Sequence, residues 1–154
     1  QVGQHVKSFA DALRASLRED PDVILLGELR DLETISLALT AAETGHLVLG
    51  TLHTSSSAST VSRIIDVFPG GQQEQIRTQV ADCLTAVVAQ RLIRHPTGNE
   101  RNAAFEIMIN IPAISNLIRE NKLFQIENIL QTNAALGMIT MDASIASLRS
   151  QGKI

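Results

Sequence analysis

Glu28 follows the apolar run Val23-Ile-Leu-Leu26 after a single glycine, and His53 follows a second apolar run, Leu47-Val-Leu-Gly-Thr-Leu52. The first run reads as a strand buried on both faces, of the parallel-sheet kind, and the second as another buried strand. The two polar residues then fall just beyond strand carboxyl ends, the rim where open α/β sheets bind ligands. A carboxylate there has the form of a Walker B element and can hold Mg2+ or orient an attacking water. An imidazole on the neighbouring strand end would suit a γ-phosphate site, and Thr51 and Thr54 flank it with hydroxyls. Phosphoryl transfer asks a protein for positioning and charge neutralisation more than for covalent help. Plainer roles are also open to these residues. Glu28 can pair with Arg30, Asp31 can cap a helix, and His53 can be a satisfied histidine at a loop entrance.

His46 stands apart. It lies seven residues before His53, roughly 23 Å along an unbroken strand at ~3.3 Å per residue. An odd separation turns the two side chains to opposite faces, so one compact metal site cannot use both unless Gly50 breaks the strand. His46 is expected to pack, to hydrogen-bond at the strand start or to face a neighbouring subunit. His5 and His95 have no partners at ligand spacing. No directly protein-bound transition metal is expected.

The 154 residues contain no G-x-x-x-x-G-K-[ST] sequence, and Gly152-Lys153 is followed by Ile154. That motif supplies the backbone N–H groups and the lysine that cradle phosphates. The chain thus carries the trigger side of a nucleotide site without its cradle, and by itself is expected to bind ATP poorly and hydrolyse it negligibly. Because it opens at Gln1, it reads as part of a longer protein.

The elements that would position these residues can be read from periodicity and punctuation. Ser8 and Asp11 have capping-box spacing for a helix with Phe9, Leu13 and Leu17 on one face, ended by Pro21. Asp31 can start a second helix through Ile35, Leu39 and Ala42, stopping near Gly45. A third helix is predicted over 58–67. Strand, helix, strand, helix implies right-handed crossovers in an α/β sheet. After a turn at 68–71, a long helix is predicted over 72–87, grading into a strand at 88–93. His95-Pro-Thr-Gly-Asn99 reads as a loop, followed by a strand over 103–109. Pro112 suits the first position of a helix ending near Glu120. Further helices are predicted at 122–131 and 141–150, around a turn at Gly137. This divides the chain into an α/β core, 1–109, and a small helical subdomain, 110–154.

Composition narrows the function classes. The chain is 44% hydrophobic and 19% charged, with a net charge of −3, which is ordinary for a globular domain of this size. A duplex-binding protein would show a basic face, and four Phe without Tyr or Trp make a poor base-stacking platform; no nucleic-acid partner is expected. No apolar run approaches the ~18 residues of a membrane span. The single cysteine, Cys83, excludes an internal disulfide and suits a reducing cytoplasm. Within the apolar stretch 80–88 it reads as an inert core thiol.

Three segments also carry a family resemblance, which extends over nearly the whole chain. Asp20-Pro-Asp-Val-Ile-Leu-Leu-Gly-Glu-Leu-Arg-Asp31 resembles the Walker B segment of the secretion and type IV pilus ATPase superfamily. Thr44-Gly-His-Leu-Val-Leu-Gly-Thr-Leu-His-Thr54 resembles its His box, at the expected distance. Ala113-Ile-Ser-Asn-Leu-Ile-Arg-Glu120 is similar to a motif of the retraction branch, the twitching-motility ATPases, with Ser115 where that pattern has Arg. The short loop 94–101 has no cysteine, unlike the four-cysteine zinc insertion common in extension and type II secretion ATPases.

The resemblance implies a partial RecA-like P-loop NTPase core carrying the Walker B and His-box strands, followed by the helical subdomain. It implies ATP and Mg2+ as nucleotide and cofactor, with Mg2+ held through Glu28 and the nucleotide. Glu28 would be the catalytic glutamate polarising water, His53 would approach the γ-phosphate, and His46 would be the other His-box histidine. Arg30, His46, Thr51 and Thr54 would lie at the nucleotide site or an intersubunit contact. Asn116, Arg119 and Glu120 would face a partner, with Ile114, Leu117 and Ile118 as the packing side; a solvated polar helix face is the plainer alternative. The intact protein would be a cytoplasmic homo-hexamer, peripheral at the inner membrane, working on the pilus platform protein to retract pili. A related extension or type II secretion ATPase, a non-catalytic assembly module and a RecA-like nucleic-acid motor remain as other readings.

Overall fold

Pro21 and Gly45 each precede a strand of the first unit of the fold. The computed structural model describes residues 9–19, 21–98 and 100–154; Ser8 of the expected capping box and His5 lie outside them. Helix α1 (Phe9–Ser16) gives way to a single 3-10 turn, Leu17–Glu19, ahead of Pro21. Strand β1 (Val23–Leu26) leads to α2 (Leu32–Glu43) and then to β2 (Leu47–Gly50). The two strands pair in parallel, with Val23 opposite Leu47 and Leu26 opposite Gly50. Asp31 starts α2 by accepting from the backbone N–H of Thr34 at 2.8 Å, and Gly45, at φ +102°, ends it. That positive φ is the left-handed conformation that glycine adopts without a Cβ clash.

Leu13, Ile24, Leu26, Ala38 and Ala41 form a small core between these helices and the sheet. The expectation that β1 is buried on both faces is corrected here. Ile24 and Leu26 are buried, whereas Val23 and Leu25 are 53% and 74% exposed. Among the described residues α1 and α2 cover one face of the sheet, and the alternation of a one-sided strand results. The second strand, expected to be buried, has Leu47 and Leu49 half exposed, and it is shorter than expected, ending at Gly50 instead of Leu52.

Helix α3 (Ser57–Asp66) has a capping box between Ser56 and Ser59 and buries Val61, Ile64 and Ile65. Helix α4 spans Gln73–Cys83, four residues short of the expected end at 87. Leu84 turns extended, at φ −66° and ψ 126°, because the apolar run 80–88 serves two elements: Val80 and Ala81 pack as helix, and Val87 as strand. β3 (Ala86–Arg94) and β4 (Arg101–Ile109) form a separate antiparallel pair, with Ala86 opposite Ile109 and Arg94 opposite Arg101. Cys83 is half-buried, and burial pushes its thiol pKa up.

Helices α5 (Pro112–Arg119), α6 (Ile126–Thr132) and α7 (Met141–Ser150) follow. Pro112 opens α5, where a missing N–H costs nothing. Ile114, Ile118, Ile126 and Leu130 join Val61, Ile64, Val80 and Met108 in the main core. Asn110 and Ser115 finish the seam between α4 and α5. Asn110 Nδ2 donates to the carbonyls of Ala81 and Leu84 at 3.0 and 2.8 Å, and Ser115 Oγ lies 3.0 Å from the Ala81 carbonyl. Unpaired carbonyls at the end of α4 thereby find donors.

Candidate functional site

Beyond Leu26 and Gly50 the two parallel strands stay tied. The backbone N–H of Leu29 donates to the Thr51 carbonyl at 2.9 Å, and Thr51 Oγ1 donates to the Gly27 carbonyl. Leu29 also lies across Gly50, so that a Cβ added there would stand 2.8 Å from Leu29 Cδ1. Glycine makes that close approach possible. These contacts hold the 27–30 segment against the end of β2 and present Glu28 beside His53.

The Glu28 carboxylate meets two cationic or polarisable groups. Oε2 is 2.6 Å from the Arg30 guanidinium, and Oε1 is 3.3 Å from His53 Nε2. Hydrogen bonding to Arg30 holds the Glu28 carboxyl below the usual carboxylate range; partial burial opposes this, and the charges of Arg30 and His53 add to it. The same pairing raises Arg30 above its ordinary value. Glu28 is the least exposed of the three, at 25% of its side chain, against 74% for Arg30 and 86% for His53. A cleft of about 700 Å³ opens beside His53, between the 52–55 loop, Ser59 and Arg63 of α3, and residues 88–90 of β3.

Of the sequence-derived candidates, Glu28, Arg30 and His53 are brought together, and Thr51 secures the loop that bears them. Thr54 turns the other way, with Oγ1 2.7 Å from Thr60 Oγ1; Thr60 passes its own hydrogen to the Ser56 carbonyl at 2.8 Å. His46 sits at the opposite end of β2, where its Nδ1 is 3.0 Å from the Ala41 carbonyl at the end of α2. Asp31 serves as the helix cap. Arg119 pairs with Asp82 of α4 and donates to Asn116 Oδ1 at 3.1 Å, and Glu120 pairs with Lys122 at 2.7 Å. Sequence reading missed Glu106, which is buried and reaches α3. The alternation of β4 places it on the inward side with Ala104 and Met108.

The family model for the type II/IV secretion system protein matches residues 2–140. The chain belongs to that family. Among secretion ATPase relatives, the chain is 59% identical to the twitching motility protein of Neisseria gonorrhoeae, over all of this chain and 41% of that protein. Identity is 52% to the type IV pilus retraction ATPase PilT of Pseudomonas aeruginosa, over all of this chain and 44% of that one. The crystal structure of the pilus retraction motor PilT with bound ADP superposes with a TM-score of 0.89 at 52% identity, over 99% of this chain and 43% of the other. The partial RecA-like ATPase fold implied by the Walker B and His-box segments is therefore the fold of this family member, and its likeness is to the retraction type. The chain spans less than half the length of these relatives. No helix among the described residues is long and apolar enough to cross a membrane.

Proposed function

We propose that this chain is part of a homo-hexameric motor that hydrolyses ATP with Mg2+ to drive type IV pilus retraction and twitching motility. The approach of Glu28 to His53 across adjacent parallel strand ends carries the reading, supported by full-chain likeness to a retraction motor solved with ADP. One carboxylate at the strand rim, that of Glu28, fits Mg2+, which keeps several waters and is bound through one or two carboxylates plus substrate phosphates. When bound, the ion would neutralise charge developing on the phosphates.

Glu28 accepts a hydrogen bond from the attacking water and fixes its direction. In the state described both of its oxygens are engaged, so one contact must open first. Arg30, whose side chain is largely exposed, leaves Glu28 and turns toward an incoming phosphate or a neighbouring subunit. Release of Arg30 also removes the main influence lowering the Glu28 pKa, making the carboxylate more basic as substrate arrives. His53, almost fully exposed beside the cleft, approaches the γ-phosphate and links its presence to Glu28. Thr51 keeps the two strand ends in register throughout. His46 holds the start of β2, and Asn116, Arg119 and Glu120 offer a polar helix face to the platform protein at the cytoplasmic side of the inner membrane.

The test is Mg2+-dependent ATP hydrolysis by the intact protein beside its Glu28→Gln variant. Glutamine keeps the shape and removes the charge. Nucleotide binding should persist while kcat falls by about 10²–10³ or more. Equal turnover by the two proteins would remove Glu28 from the chemistry. The 154-residue chain assayed alone should show negligible hydrolysis.

A further inference from the structure

Glu106 stands on β4 and is only 8% exposed. Its Oε1 accepts a hydrogen bond from the backbone N–H of Ser57 at 2.6 Å, across 49 residues of sequence. Ser57 is the first residue of α3, where N–H groups lack intrahelical partners and the helix dipole presents its positive end. Glutamate is disfavoured in strands, and burying its carboxylate is costly unless it is paired. The contact with Ser57 supplies that pairing. Beside it the fully buried Ser57 hydroxyl has no hydrogen-bond partner among the described residues, so the site satisfies the backbone N–H in preference to the side chain.

The loop bearing His53 hangs between two anchors. The first is at Thr51, tied to Gly27 and Leu29 at the strand rim. The second is the start of α3. There the contacts of Thr54 with Thr60, of Thr60 with Ser56 and of Ser56 with Ser59 are all internal to the loop and the first turn. They keep that segment in shape but cannot fix it to the rest of the molecule. Beside the apolar packing of Val61, Ile64 and Ile65 further along α3, the Glu106 carboxylate supplies, among the described residues, a polar contact that does so, joining the second sheet to the exit of the loop.

We infer that Glu106 is a positioning residue for His53: by holding the N-terminus of α3 from β4, it sets where His53 stands relative to Glu28. The inference rests on the proposed role of Glu28 and His53 in ATP hydrolysis. It also gives β3–β4 a polar route to the site, since Glu106 joins β4 to the exit of the His53 loop.

Three variants of the intact protein separate reach from charge. Glu106→Gln keeps the reach and an acceptor oxygen, Glu106→Asp keeps the charge and shortens the reach, and Glu106→Leu removes both. Amide hydrogen exchange without nucleotide should be about tenfold faster or more over 52–58 in the Asp and Leu proteins, with β1 and α2 unchanged and the Gln protein close to wild type. In ATP hydrolysis the Asp protein should lose kcat by about tenfold to a hundredfold with KM little altered, while Gln retains it. Unchanged exchange over 52–58 in the Asp and Leu proteins overturns the proposal. So does acceleration spread evenly through the core, which marks a structural role only, or faster loop exchange with kcat intact. Should the Leu protein fail to fold, the Asp and Gln pair carries the test. If wild type shows no hydrolysis, the reaction assignment fails, and the exchange data still decide whether Glu106 anchors the loop.

Discussion

Arg30 and Glu28 lie two residues apart on the rim segment and close an ion pair at 2.6 Å, although Arg30 is largely in solvent. The pair lowers the Glu28 pKa. Ionised Glu28 therefore adds stability that is fully present above the unfolded carboxylate value and is lost as pH falls through the lowered folded value. Arg30→Leu should move Glu28 titration upward, toward the ordinary range, and shift that loss to higher pH. Carboxyl 13C titration of both proteins reads this directly. An unmoved Glu28 would show that Arg30 is not the cause. Added salt should weaken the effect in wild type, because the guanidinium is exposed.

Asp31 bonds both the N–H and the hydroxyl of Thr34, at 2.8 and 3.1 Å. Asp31→Ala should cost about 0.5–2 kcal/mol, and Asp31→Asn much less. Denaturant unfolding of the intact protein measures the difference. Similar losses for both substitutions would mean that charge, rather than capping geometry, stabilises the start of α2.

His46 Nδ1 faces the Ala41 carbonyl at 3.0 Å and Thr44 Oγ1 at 3.2 Å. A carbonyl only accepts, and the Thr44 hydroxyl is itself directed to the carbonyls of Thr40 and Ala41. Nδ1 therefore carries the hydrogen, leaving Nε2 bare in the neutral ring. The 15N shifts of His46 should report the Nδ1–H tautomer. His46→Phe should destabilise by about 1 kcal/mol through the lost bond.

Ile118 is fully buried in the main core with Val61 and Val80. Ile118→Ala should cost about 2–5 kcal/mol through lost contacts and the cavity left behind. Chemical denaturation measures it, and a cost below 1 kcal/mol would mean that α5 settles into the space.

Sequence reading located Glu28 and His53 because each ends an apolar run and both runs belong to one parallel pair. It also found the cap at Asp31 and the start at Pro112, where local chemistry decides the outcome. It lost the end of α4, since residues 80–88 satisfy helix and strand patterns equally and only packing separates them. Glu106 escaped for a different reason. Its partner is a backbone N–H, which carries no side-chain signature at any spacing, although its inward position among Ala104 and Met108 was available from the alternation. The exposed Val23 and Leu25 show the converse limit: an apolar run reports the capacity for burial, and only neighbouring elements decide how many faces are covered.

The two strand pairs differ in how the chain must travel to close them. β3 and β4 are joined by residues 95–100 and can zip from their turn, on a scale of roughly microseconds. β1 and β2 must wait for residues 27–46, including the whole of α2, to cross over. Pulse-labelled refolding of the intact protein should accordingly protect the amides of Arg91 and Ala104, which face each other in the β3–β4 ladder, before that of Leu49. The rim that seats Glu28 and His53 would then be assembled late, on a hairpin already in place to receive it.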